Sequence, residues 1–478
     1  MIGIYLTGAF LISALFFFTR NNRNKLVSYL FIIAFLILQW IFTIYEYNHR
    51  DMDELGLFKP DALAILLLIT LSIISIPAFY HSYIYLEKKG DTPRIQGIYY
   101  AAMTLLVAAM SAAYLSNHIA VTWIFVELTT LSASALIFHR RNARALEGTW
   151  KYIFVCSLSI TFVFIGILFL SIALQQEGFT DLSFPALLSK ATTLNVFWLR
   201  LAFIFIFTGY TAKLGLVPMY TAGIDAKDKA PSPAGALLSS ALMNVGFVGI
   251  FRFYEVVAQS SIHLWANHVI MIAAFLSIFI ATVYMLKVKN LKRMFAYSSI
   301  EHMGIVMLGL AAGGIGYYAV ILHIVLHAFA KSSMFFQMGQ IYRIYKSKSI
   351  YDVGNYFKYN LTGSIVVLLA FICVTAMPPS GLFISEFMIF RSLFDAHYLA
   401  VLIIVLILLT MIIWTLGKNI FKLLFTPPVN FREKGLEKIN WYESLSQFIL
   451  LGLVIYLGIN PPHQMVELIN EAIKNLPH

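Results

Sequence analysis

Long apolar stretches alternate with short polar stretches along almost the whole chain. At about 20 apolar residues per membrane crossing, this pattern predicts fourteen transmembrane helices, numbered here as spans 1 to 14. Their predicted bounds are 2–19, 26–45, 61–86, 96–115, 119–138, 152–174, 195–218, 234–254, 264–286, 294–312, 316–342, 361–395, 398–425 and 443–459. The sequence therefore predicts an all-α polytopic membrane protein.

Two of these spans carry a break in their apolar pattern. Pro218 in span 7 removes a backbone donor and is expected to disturb the helix near Leu214. Span 12 is interrupted at residues 378–381, which read PPSG. The breaks lie five spans apart, so spans 4–8 and 9–13 are predicted to be two five-helix repeats. An odd number of crossings gives consecutive repeats opposite orientations, the inverted plan of secondary transporters.

This repeat plan divides the chain into four expected segments. The N-terminal helices 1–3 occupy residues 1–95, and the first repeat occupies 96–258. The second repeat occupies 259–426, and residues 427–478 hold helix 14 and the C-terminal tail.

Composition excludes a soluble globular protein. Hydrophobic residues make up 60% of the chain and charged residues 12%, with a mean hydropathy of +0.80, against about 45–50% and 25% in soluble domains. The only cysteines, Cys156 and Cys373, each lie in an apolar run. We therefore expect no metal site, iron–sulfur cluster, disulfide or other cofactor, and any redox chemistry belongs to another polypeptide.

The net charge of +11 is placed on alternate loops. The odd-numbered loops hold 23 of the 34 Lys and Arg residues, and the even-numbered loops with the tail hold four. Positive residues favour the cytoplasmic side, so both termini are expected outside the cytoplasm. The charge thus indicates orientation in a lipid bilayer, and no nucleic-acid partner is expected.

Two charged residues stand within spans 5 and 7. Lys213 lies in an apolar segment, where a cation near the bilayer centre costs about 2.5–3.5 kcal/mol, and Glu127 lies mid-span in WIFVELTT. Lys213 alone is also compatible with snorkelling to the interface, and Glu127 with a structural hydrogen bond. If the two residues form a pair, each stabilises the ionised form of the other. A proton that arrives at either one then changes the charge state of both.

A file of nitrogen-bearing side chains occupies span 11. His323, His327 and Lys331 follow at four-residue spacing, so they share one helix face. The alternative without a transport role is that both histidines are buried core residues with ordinary hydrogen bonds. A zinc site is disfavoured because no carboxylate or thiolate lies close in sequence. Imidazole and buried lysine suit proton relay. Glu301 and His302 in span 10 are expected to lie shallower.

Glu386 follows the break of span 12, as Lys213 precedes that of span 7. Each broken helix therefore carries one intramembrane charge. We expect Glu127, Lys213, Lys331 and Glu386 at similar depth, and Asn244 between the halves as a neutral gap.

Several motifs resemble one family. GYTAKLGLVPMYTAGIDAKDKAPSPAGALLS, with FVELTT, LKRMFAYSSIEHMG, HAFAKSSMFF and PPSGLFISEFMIF, resembles the antiporter-like subunits shared by respiratory complex I, Mrp-type cation/proton antiporters and membrane-bound hydrogenases. SIEHMG with PPSGLFISEF is most similar to the hydrogenase-4 component F and formate-hydrogenlyase branch. The resemblance implies an inner-membrane subunit with other membrane subunits and a peripheral cytoplasmic module as partners.

The resemblance also implies roles for single residues. Glu127 and Lys213 become the pair between spans 5 and 7, Lys331 the central lysine of the second half, and Glu386 the terminal charge. Asn244 stands where many members have a lysine in span 8, and Tyr220 replaces a usual histidine. These departures imply a different central relay and entry route.

Four functions remain open from the sequence. The main hypothesis is a proton-translocating subunit of a larger redox-driven or ion-coupled complex, without a redox centre of its own. The others are an Mrp-like Na⁺/H⁺ antiporter, a membrane subunit that energises inorganic-carbon uptake by a soluble partner, and a structural anchor. An anchor has no reason to retain so many costly intramembrane charges.

Overall fold

A computed structural model describes residues 1–18, 25–428 and 436–477. Four of the odd-loop cations, Arg20, Arg23, Arg432 and Lys434, lie outside the described residues.

The described ranges form twenty α-helices. They are α1 Ile2–Phe18, α2 Lys25–Asn48, α3 Ala62–Lys89, α4 Pro93–Leu115, α5 Ile119–Ile137, α6 Ala143–Gln176, α7 Phe184–Lys190, α8 Val196–Leu214, α9 Thr221–Lys229, α10 Ser232–Ser239, α11 Ala241–Ala258, α12 His263–Lys287, α13 Leu291–Ala312, α14 Ile315–Tyr345, α15 Tyr356–Tyr359, α16 Leu361–Val374, α17 Gly381–Asp395, α18 Leu399–Phe425, α19 Leu445–Ile459 and α20 His463–Ala472. The all-α prediction is confirmed.

Fourteen apolar segments match the predicted spans one to one. Twelve are long and apolar enough to cross a membrane, and two shorter apolar helices, Ile2–Phe18 and Leu361–Val374, supply spans 1 and 12. Among the unbroken spans, the largest difference in bounds is that of α6, which begins nine residues before the predicted residue 152. Its first turns carry Arg144 and Lys151, so the apolar criterion alone missed them.

Odd-numbered and even-numbered loops gather at opposite ends of the helices. Arg140, Lys229, Lys287 and Lys348, from loops 5, 7, 9 and 11, line one cavity. At the other end, residues of loops 2, 4 and 6 meet the C-terminal tail around a second cavity, lined among others by Asp51, Asn117, Phe184 and Asn475. We call the first end the basic face. This alternation is what fourteen crossings require.

The break in span 7 starts at the expected depth. Helix α8 ends at Leu214, and Gly215 adopts φ +86°, a left-handed conformation that favours glycine. The backbone N–H of Val217 donates to Ser277 Oγ of α12 at 2.9 Å. A neighbouring helix thus satisfies a donor that the break sets free.

The break in span 12 begins earlier than predicted. Helix α16 ends at Val374, whereas the sequence suggested Met377. Residues before a proline are disfavoured in helical conformation, and Ala376 already has φ +47°. Ser380 then caps α17 by accepting from Leu382 N–H at 3.1 Å. Spans 7 and 12 are thus both broken, as the sequence predicted.

A third interruption, in span 8, was not predicted. Helices α10 and α11 meet at Ser240, whose φ of −126° and ψ of −96° are not helical. The hydroxyls of Ser239 and Ser240 both donate to carbonyls about one turn earlier, at 2.7 Å. Such side-chain to backbone bonding bends helices. The bend was not predicted, because no proline or glycine lies at residues 239–241.

The helices that carry Lys331, Asn244 and the Glu301–His302 pair lie inside the bundle. Helices α13 and α14 and the α10–α11 pair are buried along their length, whereas α2 and α18 are largely exposed. Helix α11 crosses α8 closely, because a Cβ built on Gly246 meets Leu214 N at 2.5 Å and Lys213 C at 2.9 Å. A glycine therefore sets the backbone spacing beside Lys213.

Candidate functional site

Lys213 lies at the end of α8 among hydroxyl groups. Its side chain is 7% exposed, and Nζ donates to Thr130 Oγ1 at 2.8 Å and to Tyr152 OH at 3.1 Å. The ammonium also lies 5.2 Å from the centroid of the Tyr152 ring. Polar and cation–π contacts thus hold the amine inside the bundle.

Thr130 lies between Lys213 and Glu127. The Thr130 hydroxyl accepts from Lys213 and donates to Glu127 Oε2 at 3.1 Å. In the described part of the chain, the ammonium and the carboxylate make no direct ion pair. The structure thus joins the two predicted residues through a hydroxyl that the sequence analysis had not singled out.

Lys331 occupies a similar position in the second half. It is fully buried on α14, and its Nζ donates to Ser298 Oγ and, at 3.5 Å, to Phe295 O of α13. As in the first half, a serine or threonine hydroxyl of a neighbouring helix receives the lysine.

His302 is the centre of the second-half cluster. Its Nδ1 lies 3.2 Å from His323 Nε2 and 3.4 Å from Glu386 Oε1, and its Nε2 lies 2.9 Å from Val374 O. Glu301 Oε2 lies 3.9 Å from His302 Nε2. The sequence analysis expected Glu301 and His302 to lie shallower in the membrane than the other site residues. Both side chains are buried inside the helix bundle, at 3% and 0% exposure.

The predicted file on α14 is not continuous by itself. The rings of His323 and His327 lie 6.4 Å apart, whereas each lies 5.1–5.2 Å from the ring of His302. Neither ring nitrogen of His327 has a hydrogen-bond partner among the described residues. His302 of α13 thus stands between the two histidines.

Asn244 lies in α11, between the two halves in the chain. It is 1% exposed, and neither atom of its amide has a partner in the described structure. Buried polar groups are seldom left without a hydrogen-bond partner, so the Asn244 amide is suited to binding water.

Lys227 is a functional candidate that the sequence analysis missed. It was counted among the loop cations, yet it is 4% exposed and its Nζ contacts Met243 Sδ at 3.1 Å. Met243 precedes Asn244, and Lys227 lies within electrostatic range of Lys331 and His327. Lys227 lies on the short helix α9, which follows the break of span 7, and that place in the chain was the available signal.

Lys292 was also counted as a loop cation and is buried. Its Nζ donates to Ala230 O at 2.6 Å. This contact ties α13 to the junction of α9 and α10, so its role in the fold is structural.

Comparison with known proteins agrees with this architecture. Residues 116–412 match the family "NADH:quinone oxidoreductase/Mrp antiporter, TM". A hydrogenase-4 component F homolog from Methylacidiphilum infernorum is 29% identical over 91% of this chain and 94% of its own length.

Solved structures share the fold. A chain of the membrane-bound sulfane sulfur reductase, an archaeal respiratory membrane complex, gives a TM-score of 0.86 at 20% identity, covering 99% of this chain and 96% of that one. A chain of the Mrp complex from Dietzia gives 0.84 at 16% identity with the same coverage.

The matched region covers more than half of the chain and contains every residue of the site described above. The chain therefore belongs to the NADH:quinone oxidoreductase/Mrp antiporter transmembrane family, as an antiporter-like membrane subunit.

Proposed function

We propose that this chain is the proton-translocating membrane subunit of a larger redox-driven or ion-coupled complex. The observation that carries the proposal is the hydroxyl of Thr130, which joins Lys213 to Glu127. A hydroxyl that accepts one hydrogen bond and donates another can pass a proton by reversing both. In this proposal the three side chains form a proton-transfer element.

The second half continues the path with a different chemistry. Lys331 is the central base, and the cluster of His302, His323 and Glu386 forms the far end. Direct proton transfer needs hydrogen-bond reach of about 3 Å. The contacts of 3.2 and 3.4 Å around His302 approach that reach, and His327 stands beside them with both nitrogens free of protein partners.

Lys227 and Asn244 lie where the halves must communicate. In this proposal Lys227 supplies the central cation that a lysine in span 8 supplies in many relatives. The Asn244 amide orders water beside it without holding a proton itself.

Orientation and partners follow from the charge pattern and the relatives. We propose an inner-membrane location, with both termini on the extracytoplasmic side and the basic face toward the cytoplasm. In this proposal, other membrane subunits and a peripheral cytoplasmic module complete the complex. The name of one relative, a hydrogenase-4 component F homolog, is that of one component of a larger assembly. The chain contributes translocation and no redox centre.

The carrier in this proposal is the proton. Nitrogen donors relay protons but bind hard cations such as Na⁺ poorly. The second-half cluster contains two imidazoles, and the imidazole of His327 lies beside them. Turnover that depends on sodium and is unaffected by a protonophore would instead support an Mrp-like Na⁺/H⁺ antiporter.

Single replacements of the first-half residues test the proposal. Lys213→Ala and Glu127→Gln are expected to abolish proton transport by vesicles containing the assembled complex, with little loss of assembled protein. Replacing both together should recover any lost stability but not transport, because the charge left unpaired in each single variant is gone. Transport at the wild-type rate in either single variant would make the pair structural.

A further inference from the structure

Three side-chain atoms that could bind a metal ion lie together in one buried place. His302 Nδ1, His323 Nε2 and one Glu386 carboxylate oxygen all lie within 4.8 Å of one another. They come from α13, α14 and α17, so sequence spacing could not bring them together.

The outer hydrogen bonds fix which nitrogen of each histidine carries the proton. Ser385 Oγ donates to Leu382 O at 3.0 Å, so it accepts from His323 Nδ1–H at 3.0 Å. Val374 O can only accept, so His302 Nε2–H donates to it at 2.9 Å. In the neutral rings, the inward nitrogens, His302 Nδ1 and His323 Nε2, are then both lone pairs.

Three acceptors therefore converge with no protein donor between them. Glu386 Oε1 has no hydrogen-bond partner among the described residues, and it faces His302 Nδ1 at 3.4 Å. Facing lone pairs repel unless a proton or a metal ion lies between them. The arrangement therefore provides a place for one shared proton or one metal ion.

The geometry suits a transition-metal ion. Ligand atoms about 2.0–2.1 Å from a tetrahedral zinc ion lie roughly 3.3 Å from each other, and the two distances from His302 Nδ1 are 3.2 and 3.4 Å. Each histidine also donates its outer N–H to an oxygen, which is the usual support of a metal-bound imidazole.

The surrounding charges tolerate a divalent ion. Glu386 is a ligand, and Glu301 Oε2 lies 3.9 Å from His302 Nε2, so two carboxylates adjoin the site. Lys331 does not occupy it, since its Nζ is held by Ser298 and Phe295. A lysine close to a metal site opposes cation binding, but the ammonium of Lys331 is held by these two partners on α13.

We propose that His302, His323 and Glu386 form a binding site for one divalent transition-metal ion, with Zn²⁺ as the probe. Two nitrogens and one carboxylate oxygen favour Zn²⁺ over Mg²⁺ or Ca²⁺, which select oxygen ligands. The fourth position is left to water or a second carboxylate oxygen.

Metal binding to the complex purified in detergent tests the site directly. After treatment with a chelator, wild type is expected to take up one more Zn²⁺ than a complex carrying His302→Gln or Glu386→Gln. His327→Gln is the matched control, because His327 is equally buried on α14 but is not a ligand, and it should bind like wild type. Equal uptake by wild type and the ligand variants, or loss in His327→Gln alone, would overturn the proposal.

Two further measurements cover variants that fail to assemble. X-ray absorption of the wild-type zinc complex should show two imidazole nitrogens and oxygen ligands, and a sulfur-rich or all-oxygen shell would contradict the site. Ser385→Ala removes only the support of His323 and should weaken binding by about ten-fold. Unchanged affinity would mean that His323 is not a ligand.

An effect of zinc on transport rests on the proposed function. If protons pass His302 and Glu386, bound Zn²⁺ occupies their lone pairs, and transport should stop in wild type but persist in vesicles without the ion. Zinc that binds at the site and leaves proton transport unchanged would contradict the proton route and leave the metal site standing.

Discussion

Lys213 Nζ donates a 2.8 Å hydrogen bond to Thr130, and Thr130 passes a hydrogen bond on to Glu127. The helix break after Leu214 places the lysine at the end of α8, within reach of α5 and α6. In the proposed path, Thr130 is thus the residue that couples the protonation of Lys213 to Glu127.

Thr130→Val tests this connection without changing side-chain shape. Loss of the hydroxyl should slow proton transport by at least about ten-fold, because a positioned proton-transfer group contributes on the order of 10²–10⁴-fold. Initial rates of pH change in vesicles containing the assembled complex give the measurement.

The neighbouring residue supplies the control for this replacement. Thr129 is also buried on α5, but its hydroxyl donates only to Val126 O at 2.6 Å. Thr129→Val should transport at close to the wild-type rate. Equal slowing in the two variants would show that α5 packing, and not the Thr130 hydroxyl, is responsible.

Gly246→Ala tests how tightly α11 holds the broken helix. The added methyl group would meet the backbone of Lys213 and Leu214 at less than 3 Å, so α8 and α11 must separate. Overpacking of this kind costs about 1–3 kcal/mol, and both the midpoint of thermal unfolding and transport should fall.

Gly452→Ala is the matched control on α19. A Cβ at this position meets nothing within 4 Å, and alanine favours helix over glycine by about 1 kcal/mol. Its unfolding midpoint should be unchanged or higher. If Gly246→Ala behaves in the same way, the close crossing of α8 and α11 does not matter for stability.

Asn244→Lys tests whether Lys227 already acts as the central cation. Lys227 contacts Met243, and residue 244 is the next residue on α11. A lysine at this position should repel Lys227, so both the unfolding midpoint and the transport rate should fall. Adding Lys227→Gln to the same chain should recover part of both. Asn244→Leu controls for volume and should keep the midpoint while slowing transport. No recovery in the double variant would argue against exchangeable roles.

The spans and the breaks in spans 7 and 12 were predictable because each depends on residues that are close together in the sequence. Apolar length fixes the crossings, and Pro218 ends α8 at Leu214 through the donor it lacks. The bend at Ser240 escaped prediction because back-bonding by Ser239 and Ser240 leaves no clear mark in a sequence.

The site was predictable by residue type but not by contact. Lys213, Glu127, Lys331 and Glu386 are conspicuous as charges in apolar segments. Which groups they touch depends on packing between helices far apart in the chain, so Thr130 and the central position of His302 appeared only in three dimensions. The buried position of Lys227 could not be predicted, because it lies two residues from Lys229, which is on the basic face. In the sequence it therefore resembles an ordinary loop cation.

The central claim is that one path runs through both five-helix halves, and its most direct test compares Lys213→Ala with Lys331→Ala. Proton flux is measured in sodium-free vesicles containing equal amounts of assembled complex. The path predicts that either replacement alone removes essentially all protonophore-sensitive proton transport. If each variant keeps about half of the wild-type flux, the two halves conduct independently and the continuous path is contradicted.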